Sequence, residues 1–189
     1  MIGDSITHWW DKEGEAGGKK IWDQYYGERN AVNLAISGDR TEHVLWRLEN
    51  GNIDGISPKL AVLMIGTNNH SSSPPKVTAC DIRLIVGKLR IKLPKTKILV
   101  LGIFPRGSND DDTARQKNMK VNKLISDIGD EDGMIHYRDI GATFLDGRRM
   151  KSDLIPDGAH PNQKGYAAWA KAMEPIVSEL LGETIPVGK

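Results

Sequence analysis

Continuous apolar runs alternate along the chain with segments of helical periodicity. Four runs stand out, at residues 31–36, 60–65, 98–103 and 134–140. None is a clean apolar–polar alternation, so they predict strands of a parallel sheet that is covered on both faces. The helical segments lie at residues 41–49, 77–91, 113–128 and 163–181. Strands that alternate with helices in this way predict an α/β fold with a mostly parallel sheet.

Local sequence signals predict the apolar face of one helix, and the start and an interruption of another. In the second helix, Val77, Leu84 and Ile91 lie on one apolar stripe. In the last helix, Asn162 is predicted to cap the N-terminus. Pro175 lies inside the same helical pattern and predicts a kink or a break at the residue before it.

The chain length favours one domain. The 189 residues suffice to bury a hydrophobic core and are too few to make two domains the expectation. The domain is predicted to span residues 1–181, followed by a frayed tail at residues 182–189. Only two residues precede Gly3, whereas a central strand needs about 5 residues. We therefore expect a largely truncated first strand and natural residues upstream, which leaves a cytoplasmic and a secreted location equally open.

The composition argues against several classes of partner. Lys and Arg number 26 against 25 for Asp and Glu, a formal net charge of +1, so no strong field for nucleic acid or an anionic membrane follows. No stretch approaches the roughly 20 apolar residues of a membrane span. The single cysteine, Cys80, excludes an intrachain disulfide framework and gives no metal cluster. We expect no metal and no cofactor, and a small molecule as the ligand.

Candidate chemistry lies near the two ends of the chain. Gly3-Asp4-Ser5 comes at the start, and Asp157 and His160 lie three positions apart near the other end. A serine becomes an effective nucleophile when a base takes its proton and a third group orients that base. A doubly wound α/β fold can bring these two loops to one edge of its sheet. The pattern therefore predicts a serine hydrolase.

Acyl transfer also needs hydrogen-bond donors for the negative charge that develops on the carbonyl oxygen. The backbone N–H of Ser5, the backbone N–H of Gly38 and the side-chain amide of Asn68 could supply them, because Gly38 and Asn68 follow predicted strands. Other interpretations stay open for each residue alone. Ser5 is also typical of a turn or an N-cap, and Gly38 could simply end a strand. Asn68 and its neighbour Asn69 could cap a helix.

Four sequence blocks together resemble a known family. They are Gly3-Asp4-Ser5, Gly38, Gly66-Thr67-Asn68 and Asp157-x-x-His160, and their order and spacing are similar to those of the SGNH (GDSL) hydrolases. Within that family, the chain most resembles the catalytic subunits of the platelet-activating-factor acetylhydrolase type and their bacterial esterase relatives. The segments that carry this resemblance are residues 37–41, 43–48, 66–70, 105–107 and 115–118.

The resemblance implies a flavodoxin-like three-layer α/β/α fold and metal-independent hydrolysis of esters with short acyl groups, often acetyl. It implies a catalytic triad of Ser5, Asp157 and His160. It also implies an oxyanion hole of Ser5, Gly38 and Asn68, with Asn69 as a supporting or capping residue. Because the animal-type relatives dimerise, a homodimer is a further expectation.

Four other residues are candidates for contact with the substrate, namely Asp4, Trp9, His70 and Arg106. Trp9 would wall the pocket for the acyl or alcohol group, although core packing is an alternative. His70 would line the site or pack at the surface. Arg106 would hold a loop at the edge of the site through hydrogen bonds to carbonyl groups.

We therefore expect a serine esterase that acts on small esters with short acyl groups, acetyl above all, through an acyl-enzyme. Two alternatives use the same triad, a carbohydrate O-deacetylase and a lysophospholipase, because specificity lies in the pocket walls rather than in the triad. A third alternative is a non-catalytic interaction domain that keeps the fold. A flavodoxin-type cofactor protein is a weaker rival.

Overall fold

The computed structural model describes residues 1–129 and 131–183. Its strands, in chain order, are β1 (Ile2–Gly3), β2 (Leu60–Met64), β3 (Lys97–Leu101) and β4 (Ile135–Arg138), which form one parallel sheet in that spatial order. The described residues form the helices α1 (Ser5–His8), α2 (Lys19–Tyr26), α3 (Thr41–Glu49), α4 (Pro75–Lys92), α5 (Thr113–Ile125) and α6 (Gln163–Leu181). A two-stranded antiparallel pair, β5 (Leu145–Asp146) and β6 (Arg149–Met150), lies before α6.

The sheet separates two helical layers. Along β3, Ile98 and Val100 pack into a core with α3, α4 and α5, whereas Leu99 and Leu101 pack into a second core with α2 and α6. Successive side chains of a strand point to opposite faces, so this alternation shows that both faces are covered. The predicted α/β fold with a mostly parallel sheet is confirmed.

The apolar run at residues 31–36 does not form a strand of this sheet, so that prediction is wrong in detail. The segment is extended and lies along β1, where Leu34 N–H donates to the Met1 carbonyl at 2.8 Å and Ile36 N–H to the Gly3 carbonyl at 3.3 Å. Because β1 has two residues before the chain turns into α1, the pairing is too short for a ladder. Val32 and Ile36 are consequently exposed.

The connections on the two sides of β1 run in opposite directions across the sheet. The chain leaves β1, returns along one side of it at residues 31–36, and then crosses to β2 on the other side. In open α/β sheets, ligands bind beyond the carboxyl ends of the strands at such a point. Ser5 is the second residue after β1, and so it lies at this position.

Helix α4 buries a different face from the predicted one. Val77, Leu84 and Ile91 are 47%, 51% and 82% exposed. The buried face follows the i, i+3, i+4, i+7 spacing that suits a straight α-helix, and its residues are Ile82, Ile85, Val86 and Leu89. A seven-residue repeat marks only one position in every two turns, so it identifies a face of a helix less well than this denser spacing.

Pro175 predicts a kink or a break near Glu174. Helix α6 runs without a break from Gln163 to Leu181, so the break is wrong and the kink stays a prediction. The predicted cap is confirmed, because Asn162 Oδ1 accepts the Gly165 N–H at 3.0 Å. Most of the helix is buried in the core, and this burial offsets the backbone hydrogen bond that proline removes. In the predicted tail, Gly182 is the left-handed C-cap and the Glu183 carboxylate pairs with an arginine side chain, whereas residues 184–189 lie outside the described part.

None of the helices in residues 1–129 and 131–183 is long and apolar enough to cross a membrane.

Candidate active site

Ser5 is held at the carboxyl edge of the sheet by the turn that joins β1 to α1. Gly3 ends the strand, and a Cβ atom there would lie 2.3 Å from Thr7 Oγ1 and 2.6 Å from the Met64 carbonyl oxygen, so the close approach requires glycine. Asp4 then caps α1, its Oδ1 accepting the Ile6 N–H at 3.0 Å. The first helical residue is Ser5. Its position is therefore fixed by backbone geometry on both sides.

The structure brings Ser5, His160 and Asp157 into one chain of hydrogen bonds. Ser5 Oγ lies 2.9 Å from His160 Nε2. His160 Nδ1 lies 2.7 Å from Asp157 Oδ2. Because an ionised carboxylate only accepts, Nδ1 carries the imidazole proton and Nε2 is free to accept the serine proton. This is the geometry that a serine nucleophile and its base require.

The loop that carries Asp157 and His160 is held by hydrogen bonds between its own residues. Asp157 Oδ1 accepts the backbone N–H groups of Ala159 at 2.8 Å and His160 at 2.7 Å, and Gly158 between them adopts a left-handed φ of +74°. Burial alone would raise the pKa of Asp157, but the hydrogen bonds from His160 and Ala159 outweigh it and hold that pKa below its ordinary value. The carboxylate is therefore ionised at neutral pH and can stabilise an imidazolium.

The two other predicted oxyanion donors lie on neighbouring loops. Gly38 has a φ of +86° and precedes α3, and Asn68 lies in the turn after β2. Asn68 Nδ2 donates to the Asp39 carbonyl at 2.9 Å, which ties the two loops together. One of the two hydrogens of the Asn68 amide is committed to this contact.

A buried ion pair fixes the Gly38 loop. Arg47 donates from Nη2 and Nε to Asp39 Oδ2 at 2.6 and 3.0 Å, and from Nη1 to the Leu34 carbonyl at 2.8 Å. Asn69 supports the same region, because its Oδ1 accepts the Thr41 N–H at 3.1 Å at the start of α3. Of the two expectations for Asn69, this contact fits a supporting residue, because the N-cap of α3 is Arg40.

The structure places the four residues predicted to contact the substrate in different surroundings. Asp4 is 1% exposed and caps α1, so it does not face a ligand; burial raises its pKa to about 7. The Trp9 indole stacks on His160, with ring centroids 4.1 Å apart and planes 19° apart. His70 Nδ1 lies 2.8 Å from the Thr67 carbonyl, and Arg106 Nη1 donates to Thr67 Oγ1 at 3.3 Å.

Arg115, rather than Arg106, holds the loop at the edge of the site through carbonyl groups. Its guanidinium donates to the carbonyls of Arg106 at 2.7 Å, Gly107 at 2.6 Å and Arg148 at 2.8 Å. Gly107 N–H in turn donates to the Gly158 carbonyl at 2.8 Å, which connects this loop to the loop of the histidine. Sequence reasoning missed this role, although an arginine in the first turn of a helix, where the helix dipole disfavours a positive charge, is a usable signal.

One cavity in the described part of the chain is separate from this site. It has a volume of about 670 Å³ and is lined by Met1, Leu60, Ala61 and residues around them, at the amino ends of β1 and β2. Ser5 and His160 lie beyond the carboxyl ends of the strands, so the cavity does not contain the hydrogen-bonded chain. Over residues 1–129 and 131–183, no cluster of three or more His, Cys, Asp or Glu residues is arranged to hold a metal ion.

Comparison with known proteins adds to this geometry. The sequence profile of the GDSL-like lipase/acylhydrolase family matches residues 1–168. The chain belongs to this family. The predicted resemblance to the SGNH (GDSL) hydrolases is therefore confirmed, and so is the prediction that the chain is an ester hydrolase.

Curated relatives place the chain near one branch of the family. It is 38% identical over 167 residues to the rat platelet-activating factor acetylhydrolase IB subunit alpha2, covering 87% of this chain and 72% of that one. It is 34% identical over 166 residues to the human subunit alpha1, covering 87% and 71%.

Solved structures share the fold at lower identity. An acetylxylan esterase from Geobacillus stearothermophilus has a TM-score of 0.72 at 20% identity, over 100% of this chain and 95% of that one. A GDSL-like lipase from Bacteroides thetaiotaomicron has a TM-score of 0.75 at 18% identity, over 94% and 86%. The esterase EstA from Pseudoalteromonas, in a structure inhibited by monoethylphosphonate, has a TM-score of 0.68 at 21% identity, over 96% and 97%.

Proposed function

We propose that this chain is a serine esterase that hydrolyses small carboxylic esters with short acyl groups, acetyl above all, through an acyl-enzyme. The observation that carries the proposal is the hydrogen-bonded chain from Ser5 through His160 to Asp157 at the carboxyl edge of the sheet. Neither the nucleophile nor the base needs to move to begin the reaction, because the serine hydroxyl already lies against the unprotonated nitrogen of the imidazole.

The geometry supports a two-step mechanism. Ser5 Oγ attacks the ester carbonyl carbon while His160 Nε2 takes the hydroxyl proton, and Asp157 stabilises the imidazolium. The tetrahedral intermediate collapses, the ester C–O bond breaks, and the imidazolium returns the proton to the leaving alcohol. Water then attacks the acyl-enzyme with His160 as base, which releases the carboxylic acid and restores the serine hydroxyl.

Three donors are proposed to stabilise the oxyanion. They are the backbone N–H groups of Ser5 and Gly38 and the Nδ2 amide of Asn68. The Arg47–Asp39 pair holds the Gly38 loop in place, and the Asp39 carbonyl holds the Asn68 amide. Donors that are fixed before the reaction stabilise the developing charge without reorganisation, which is the main source of their effect.

The preference for acetyl esters rests on relatives. The curated relatives are named acetylhydrolases, and they match 87% of this chain. A carbohydrate O-deacetylase is the second candidate, because a structure that covers the whole chain is an acetylxylan esterase. The ligand is a small-molecule ester in either case, and the homodimer stays a prediction.

Hydrolysis of p-nitrophenyl esters tests the proposal. Acetate, butyrate and octanoate esters are compared for the wild type, for Ser5→Ala and for the control Ser126→Ala, whose exposed serine ends α5. We expect the acetate to have the highest kcat/KM, Ser5→Ala to lose roughly 10³-fold or more, and Ser126→Ala to match the wild type. Equal turnover by Ser5→Ala and the wild type would refute the proposal. Acetylated xylo-oligosaccharides, added as a second substrate, distinguish the O-deacetylase.

A further inference from the structure

We propose that Trp9 is a positioning residue for the base, whose indole fixes the plane of the His160 imidazole. The inference rests on the proposed role of His160 as the base. It differs from the sequence-based expectation that Trp9 walls the substrate pocket. The observation that carries it is the stacked contact, with ring centroids 4.1 Å apart and an interplanar angle of 19°.

The hydrogen bonds of His160 restrain one motion of its ring only weakly. Both bonds, to Ser5 at 2.9 Å and to Asp157 at 2.7 Å, are made by ring nitrogens, whose proton and lone pair lie in the plane of the imidazole. They fix the two nitrogens, but they resist a tilt of the ring about the line between them only weakly. A flat aromatic ring against one face opposes this tilt. It also removes water from that face of a side chain that is 23% exposed.

The same short segment positions the nucleophile and the indole. Trp9 follows Ser5 by four residues, and residues at this spacing lie one above the other on a helical turn. The Trp9 carbonyl accepts the backbone N–H groups of Gly18 at 2.9 Å and Lys12 at 3.1 Å, which anchors the turn after α1. Any movement of the turn therefore carries Ser5 and the stacked ring together.

The two faces of the Trp9 indole have different partners. His160 becomes positively charged when it takes the serine proton, and the face of an indole attracts a cation. Lys12 Nζ lies 3.9 Å from the centroid of the same indole. Since the imidazole occupies one face at a similar distance, the ammonium lies on the other. The Trp9 indole is therefore held between the Lys12 ammonium and the His160 imidazole.

The variants that test the proposal leave Asp157, whose carboxylate faces His160, unaltered. They are Trp9→Leu, which removes the aromatic face, Trp9→Phe, which restores one, and Lys12→Met, which removes the ammonium but keeps the indole. Lys20→Met, at an exposed lysine of α2, is the matched control for the loss of one positive charge.

The assay measures kcat and KM for p-nitrophenyl acetate and butyrate between pH 5 and 9. For Trp9→Leu we expect kcat to fall about tenfold on both esters with KM within about twofold, and Trp9→Phe to recover most of the loss. Lys12→Met keeps the indole and should retain kcat within about twofold of the wild type, as should the control Lys20→Met.

Three outcomes would overturn the inference. They are an unchanged kcat in Trp9→Leu, a rise in KM that grows with acyl length, and a kcat in Trp9→Phe as low as in Trp9→Leu. If Trp9→Leu does not fold, Trp9→Met removes the aromatic face with a smaller loss of volume and replaces it in the same assay. Ser5→Ala in the same assay separates the two proposals. If it is inactive while Trp9→Leu is unaffected, only the present inference fails; if it is fully active, the esterase mechanism fails.

Discussion

Replacing Asp4 with asparagine should remove a large pH-dependent cost to stability. The Asp4 carboxyl is 1% exposed, and burial raises its pKa from 3.8 to about 7. The hydrogen bond from Ile6 N–H and the charge of Arg106 act in the opposite direction, and the charge of Asp39 adds to the rise. The folded chain therefore holds a proton on Asp4 over a range of pH in which the unfolded chain has lost it.

The sign and the size follow from proton linkage. Where the folded state binds more protons, the free energy of unfolding falls as pH rises, by about 1.4 kcal/mol per pH unit. The stability associated with protonated Asp4 is complete below about pH 4 and is lost as pH rises to about 7. Over this window the loss amounts to about 4 kcal/mol. Asparagine does not titrate, and it can keep the hydrogen bond to Ile6 N–H.

Urea unfolding at pH 4, 5, 6, 7 and 8 measures the effect as a difference between Asp4→Asn and the wild type. We expect the stability of the variant relative to the wild type to increase by several kcal/mol from pH 4 to 7 and then to stay constant. Any effect of the amide on packing is the same at every pH. The change with pH of the stability difference between variant and wild type therefore measures the titration of Asp4. Asp23→Asn, at an exposed carboxylate paired with Lys19, should change stability little at any pH. A difference curve for Asp4→Asn that is flat from pH 4 to 8 would refute the reasoning.

Three further substitutions test separate parts of the structure. Asn68→Ala should lower kcat about 10²–10³-fold with little change in KM, and steady-state kinetics that show an unchanged kcat would remove Asn68 from the oxyanion hole. Asn162→Ala should lower the free energy of unfolding in urea by about 1 kcal/mol, because it removes the cap of α6; no loss would contradict that capping role. Gly18→Ala places a Cβ atom 2.7 Å from Trp10 Cε3 and should cost about 1–3 kcal/mol in the same assay. Gly27→Ala, where a Cβ atom meets nothing within 4 Å, is its control, and equal stabilities would contradict the clash.

Local signals were sufficient for most of the fold. The apolar runs of β2, β3 and β4 and the cap at Asn162 are properties of short segments, and the structure contains each of them. The run at residues 31–36 has the same local character but lacks a long enough partner, since β1 has two residues. Whether an extended segment becomes a strand depends on pairing with a distant part of the chain, which composition does not reveal.

The candidate site also combines features that the sequence predicts with features that depend on the fold. Motif spacing predicted that Ser5, Asp157 and His160 lie together, and the structure places them in one hydrogen-bonded chain. The stacking of Trp9 on His160 and the hydrogen bond from Arg115 to the Arg148 carbonyl join residues that are far apart in sequence. Only the fold brings these partners together, although the four-residue spacing between Ser5 and Trp9 was a usable clue.

Labelling with a fluorophosphonate, followed by peptide mapping, tests the central claim most directly. The probe reacts with an activated serine whatever the natural ester, and the fold neighbour EstA was solved in a form inhibited by a phosphonate. The account predicts a single modification at Ser5 that is absent in Ser5→Ala. Modification of another residue, or labelling of denatured and folded protein at the same rate, would contradict it.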